Sequence, residues 1–129
     1  MLQPKITPLH FTYKKPNTEV WVLNFDDIPV EAALVRDRQI VNLGPGSVGG
    51  NHTHPRTEWF VGLGALVFVW LDETGKKHQQ PMQPEGELLL IEVPPHLPHA
   101  VVNPSAVAPG VLFELADAKM ADVVPVAVA

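Results

Sequence analysis

Proline and glycine interrupt this chain so often that no long helix fits between them: 14 prolines and nine glycines fall among 129 residues. A proline inside a helix removes a backbone hydrogen bond, and its ring clashes with the preceding turn. The apolar stretches between these breakers must therefore serve as short strands. Short apolar runs bounded by Pro and Gly are the pattern of an all-β sandwich or barrel. The length suits one domain, 1–129, whose core buries about two thirds of the extended-chain surface.

Residues 1–16, with Pro4, Pro8 and Pro16, read as an arm whose residues 9–13 (LHFTY) can add an edge strand, the position proline tolerates. Residues 18–23 (TEVWVL) alternate as a strand does, and residues 32–43 are a second candidate, broken by a turn at Arg36-Asp37-Arg38. Residues 42–50 hold four glycines and read as a loop that lets backbone approach a ligand. From Thr57 the pattern is strongly β: TEWFV, a Gly62-Leu63-Gly64 turn and ALVFVWL predict a hairpin. Both its faces are apolar, so its strands belong in the middle of a sandwich or at a subunit interface, and a homodimer is expected. Further strands are predicted at 76–80 (a polar edge), 87–93 (buried) and 110–115, and a short helix at 117–121; residues 123–129 are apolar without a clear period.

The chemistry gathers at His52-Thr53-His54 and Glu58, with His99 and Asn103 further along. On a strand, a spacing of two puts His52 and His54 on one face. Neutral imidazole nitrogen and carboxylate oxygen are ligands for first-row divalent metals, at about 2.0–2.2 Å for zinc. A third histidine would complete such a shell.

At these residues the sequence resembles the cupin superfamily, whose first motif reads glycine, five residues, His-x-His, three or four residues, glutamate and then glycine. Gly46, His52, His54 and Glu58 match that spacing, and Gly64 follows one residue sooner than usual. The second motif ends in a proline-rich turn, a histidine and, four positions later, an asparagine; here these are Pro94-Pro95-His96-Leu97-Pro98-His99 and Asn103. His96 stands where the family usually has glycine, and Gly86 precedes Pro94 by two residues more than usual. The resemblance covers roughly residues 40–115. It implies a double-stranded β-helix, or jelly-roll barrel, with 1–16 and 117–129 as extensions, and one divalent metal on His52, His54, Glu58 and His99. Such a shell suits iron, manganese, nickel, cobalt, copper or zinc alike. Three neutral imidazoles, one carboxylate and a divalent cation sum to +1, which favours an anionic ligand such as an enolate, a carboxylate or hydroxide.

Because cupins include dioxygenases, isomerases, epimerases, decarboxylases and proteins that only bind, the fold does not fix the activity. The expectation is a metal-dependent isomerase or dioxygenase on a small polar, sugar-like or carbonyl-bearing metabolite. The alternatives are a non-catalytic sensor and a metal-free sugar-nucleotide epimerase or ketoisomerase with His52 or His54 as base. Glu58 is either a permanent ligand or a base that detaches. His96 is a candidate acid or base at the rim, beside the simpler reading of a solvated loop residue. Glu92 could reach the cavity or face outward, and Asn103 reads as support for the His99 strand. Trp59 and Trp70 read as core or interface, and His10 and His78 as surface residues.

The acidic balance, 9 − 14 = −5, offers no basic footprint for nucleic acid. No cysteine is present, which excludes disulfides, thiolate metal sites and a cysteine nucleophile and fits a reducing cytoplasm. The opening MLQPKITPLHF does not read as a secretion signal, and no apolar run reaches the roughly 18–20 residues a membrane helix needs.

Overall fold

The computed structural model describes residues 2–129. Its strands, in chain order, are β1 Lys5–Leu9, β2 Tyr13–Lys14, β3 Trp21–Val22, β4 Asp37–Leu43, β5 Val48–Thr53, β6 Glu58–Leu63, β7 Val67–Leu71, β8 Lys77–Pro81, β9 Leu88–Val93, β10 His99–Val102, β11 Gly110–Ala116 and β12 Val124–Pro125. They form two five-stranded antiparallel sheets, β1-β9-β6-β11-β4 and β12-β5-β10-β7-β8, with β2 and β3 paired apart. Short 3₁₀ turns at Phe25–Asp27, Ala32–Leu34 and Pro84–Gly86 are the helical segments among the described residues. None is long and apolar enough to cross a membrane.

The two sheets meet on side chains selected by strand alternation. Leu43, Phe60, Ile91 and Leu112 from the first sheet and Phe68 and Val101 from the second share one buried cluster. Along β11 the residues Gly110, Leu112, Glu114 and Ala116 are buried, while Val111, Phe113 and Leu115 are half-buried on the other face. That outer face is also covered. Trp59, Val61, Leu88 and Leu90 pack there with Leu9 under Phe11, Leu23, Ile28 and Val30. The arm and the loop after it thus cover β6 from outside, which accounts for its two apolar faces within one chain.

The hairpin expected at Gly62-Leu63-Gly64 does not form. β6 pairs with β9 and β11, and β7 pairs with β8 and β10, so the chain crosses between sheets at that turn. Apolar alternation looks the same whether the next strand lies beside the first or opposite it, and this is why the sequence misleads here. Arg36-Asp37-Arg38 is not a turn: β4 begins at Asp37, in register with Ala116 of β11. The edge strand of the arm lies at Lys5–Leu9, ahead of the expected 9–13, and pairs with β9. No helix forms at 117–121, because its backbone is engaged elsewhere: Asp117 N–H donates to the Thr57 carbonyl at 3.2 Å, and the Ala118 carbonyl accepts from Arg56 at 2.9 Å. The last segment adds β12 beside β5, with Val124 opposite Thr53 and Pro125 opposite His52.

Candidate metal centre

Both sheets contribute to one end of the barrel. His52, next to last in β5, stands in register with His99, the first residue of β10; His54 follows β5, and Glu58 opens β6 between β9 and β11. The His52, His54 and His99 ring centroids are 4.9, 5.1 and 5.2 Å apart, and one nitrogen from each lies within 4.8 Å of the others. Glu58 Oε1 reaches two of them, at 2.9 Å from His54 Nε2 and 3.2 Å from His99 Nε2.

These buried contacts are close but not aligned as hydrogen bonds. Glu58 Oε1 and both ring nitrogens of His54 have no hydrogen-bond partner among the described residues. A buried polar atom left unpaired costs about 1–3 kcal/mol, so a cluster of them calls for a missing partner. Two ligands about 2.1 Å from one ion and at right angles to each other stand about 3 Å apart, which is the spacing seen here. The donor set therefore fits a divalent first-row metal. His99 is prepared for it, because its Nδ1–H donates to the Leu97 carbonyl at 2.8 Å and leaves the Nε2 lone pair facing Glu58. Burial, followed by the neighbouring His99 and His54 rings, pushes the His52 imidazole down to about 4, so it is neutral at physiological pH.

Two residues the sequence reading passed over complete the surroundings. Arg56 is 2 % exposed and spreads its guanidinium over three acids: Nε and Nη2 donate to Glu58 Oε2 at 3.0 and 2.7 Å, Nη1 to Asp37 at 2.8 Å, and Nη2 to Glu114 at 3.0 Å. Burial opposes charge on Glu58, yet its carboxyl is held well below the usual range. Glu114 moves the other way, pushed up by burial and then by the adjacent Glu58. Its inward phase was legible in Leu112-Phe113-Glu114-Leu115-Ala116; the burial of Arg56, in the polar stretch Pro55-Arg56-Thr57, was not.

A cavity of about 90 Å³ opens beside the triad, lined by Val41, Leu43, Phe60, Val101, Leu112 and Met120 together with His52, His99, Glu114 and the Gly49-Gly50 backbone. His96 stands outside this group. It is exposed, its backbone N–H donates to the His54 carbonyl at 2.9 Å, and its φ is +70°. That conformation disfavours a side chain and explains why glycine suits the position. His96→Gly is expected to raise stability by up to about 1 kcal/mol in a denaturant titration, without changing metal binding. Glu92 faces outward and accepts from Trp59 Nε1 at 2.9 Å. Trp70 is half-buried against the core and stacks on His78, which also meets Asp72 at 2.8 Å, while His10 is exposed. Asn103 ties the β10–β11 loop to the β4–β5 loop, donating to the Leu43, Gly44 and Ala108 carbonyls.

Gly50 sets how closely β5 approaches β10. Its φ is +86°, and a Cβ there would lie 3.0 Å from the His99 carbonyl oxygen and 3.1 Å from the Ala100 Cα. Gly50→Ala is expected to cost about 2–3 kcal/mol, from left-handed strain and backbone overlap together. The same substitution should weaken metal binding by separating His52 from His99, as calorimetric titration would detect.

No family model matches the sequence, and no curated protein matches it. Solved structures do. CapF, a capsular polysaccharide assembling protein from Staphylococcus aureus, superposes with a TM-score of 0.60 at 14% identity over 69% of this chain and 26% of its own. A dTDP sugar isomerase from Desulfovibrio desulfuricans gives 0.64 at 14% identity, over 95% of this chain and 82% of its own. An oxalate oxidase in complex with the substrate analogue glycolate gives 0.56 at 16% identity, over 94% and 54%. The chain thus spans about a quarter of CapF and about half of the oxidase. With two facing five-stranded sheets and three histidines gathered at one end of the barrel between them, the fold of this chain is that of the cupins.

Proposed function

We propose that this chain is a metal-dependent enzyme that holds one divalent transition-metal ion on His52, His54, His99 and Glu58. Its substrate is a small carbonyl-bearing metabolite, and its chemistry is of the isomerase or dioxygenase type. The observation that carries this reading is the buried, unpartnered Glu58 Oε1 set 2.9 and 3.2 Å from two imidazole nitrogens. A bound ion would polarise a carbonyl oxygen or activate water or dioxygen.

The chain's own groups define the rest. Arg56 grips Glu58 Oε2 with two donors, so Glu58 acts as a fixed ligand and not as a base that swings free. Glu114 is the one carboxyl lining the cavity beside His52 and His99, and it is the group placed to exchange a proton with a molecule bound there. The apolar walls suit a hydrocarbon flank, and the net +1 of the loaded centre suits an anionic head. At about 90 Å³ the cavity is well below the roughly 300–1,000 Å³ of pockets that take drug-sized ligands. A short oxo acid or a diketone enolate fits that description, and a sugar nucleotide does not. The depressions of about 540 and 630 Å³ elsewhere on the chain are lined by none of the three histidines.

Elemental analysis of the purified protein, paired with turnover assays on short oxo acids and diketones, tests the reading. Stoichiometric metal in the wild type, little in His54→Ala, and turnover abolished by chelation are expected. Metal retained in His54→Ala would overturn the ligand set. Activity that survives chelation would instead favour a metal-free isomerase, and a metabolite bound but never converted would favour a sensor.

A further inference from the structure

The strand that carries His52 contains an irregularity that decides where the imidazole points. Val48, Gly49 and Gly50 pair with Val102, Val101 and Ala100, but the next match is His52 with His99, which leaves Asn51 as an extra residue. A Cβ on Gly49 would meet the core side chain of Leu43, so Gly49 faces inward. Plain alternation would then send Asn51 inward and His52 outward. The bulge at Asn51, with φ +59°, shifts the phase by one and turns His52 into the triad.

Asn51 itself faces the other way and is held by the last segment of the chain. Its Oδ1 accepts from Val128 N–H at 3.1 Å and Ala129 N–H at 2.8 Å, its Nδ2 donates to the Ala129 carbonyl at 3.0 Å, and its backbone carbonyl accepts from Val126 N–H at 2.9 Å. Val128, 2 % exposed, packs against Val69 and Ala100 on the outer face of the second sheet. β12 covers the free edge of β5 alongside His52 and Thr53. A short edge strand with an unpaired bulge frays readily, and this strap removes both weaknesses.

We propose that residues 124–129 form a strap which, by binding Asn51, maintains the bulge that aims His52 into the metal centre; Asn51 is thus a positioning residue for a ligand. The proposal rests on the metal reading given above. Asn51→Gly is the clean test, because glycine accepts the positive φ without strain while all three side-chain hydrogen bonds are lost. Titration with Co²⁺, followed by its visible absorption, is expected to show about 10- to 100-fold weaker binding and an altered ligand-field spectrum, the scale on which outer supports of metal ligands act. Deleting residues 124–129 should reproduce the effect, and adding a peptide of residues 122–129 should reverse it. In a His52→Ala background, Asn51→Gly should change Co²⁺ affinity no further. Wild-type affinity in Asn51→Gly, or an equal loss in both backgrounds, would overturn the proposal. If the wild type binds no Co²⁺, the metal reading fails by itself, and the strap is then judged by carbethoxylation of His52 in metal-free protein. Diethyl pyrocarbonate should label His52 faster in Asn51→Gly than in the wild type, and equal rates would overturn the proposal on that ground too.

Discussion

Replacing Arg56 by alanine is expected to destabilise the fold by about 3–5 kcal/mol, the usual cost of removing one partner from a buried ion pair. For a chain of this length that is a fall in melting temperature of roughly 10–20 °C, readable by circular dichroism. The size of the effect comes from what is left behind. Asp37, Glu58 and Glu114 all point at the guanidinium, and two of Glu58's hydrogen bonds come from it. Arg56→Lys should recover only part of the loss, because an ammonium cannot reproduce the planar fork that reaches three carboxyls at once. The pH dependence should also weaken. In the wild type the Asp37 carboxyl is held low, chiefly by its hydrogen bonds with Arg56 and Lys119, and Glu58 is held low too. Such groups stabilise the fold above their unfolded pKa values, and that contribution is lost as pH falls through the folded ones. Without Arg56 the largest cause of the low Asp37 carboxyl is gone while Lys119 remains, so the Asp37 share of this loss should shrink and the variant should lose less stability than the wild type as pH falls through about 4. A loss below about 1 kcal/mol, independent of pH, would show that the acids find other partners.

What the sequence discloses here follows from which interactions are local. The gathering of His52, His54, Glu58 and His99 is legible because their residue types and strand spacing form a recognisable motif. The β9, β10 and β11 strands are legible because their apolar runs are bounded by proline and glycine. The network around Arg56 is not, since its acids come from positions 37, 58 and 114 and only the folded sheet brings them together. The crossing between β6 and β7 is hidden because alternation reports which face is buried and says nothing about which strand lies alongside. The two-residue spacing of His52 and His54 suggested one strand face, yet β5 ends at Thr53 and the inward aim of His52 depends on the bulge at Asn51. That bulge is held by residues more than 70 positions away, so the apolar tail at 123–129 could show no period of its own that would have revealed it.

Stripping the proposed ion is expected to have an effect as large as the loss of Arg56, and for the opposite reason: Arg56 supports the fold directly, whereas the centre is a place where the fold carries unpaid polar groups. With free metal about a thousandfold above its dissociation constant, binding adds about 4 kcal/mol, or roughly 10–20 °C in melting temperature, and a chelator should remove it. His54→Ala then separates ligand from scaffold. In the metal-free wild type both ring nitrogens of His54 are buried without a hydrogen bond, at a cost of about 1–3 kcal/mol each side of which lost packing must be set. Removing the ring relieves the first and incurs the second, so metal-free His54→Ala should melt within a few degrees of the metal-free wild type. Its melting temperature should not respond to added metal or to chelator. Thermal scans of the two proteins with and without chelator give four numbers, of which only the metal-loaded wild type should stand apart. An equal chelator response in both would place the ion somewhere other than His54, and no response in either would mean that the orphaned oxygen of Glu58 is matched by something other than a metal.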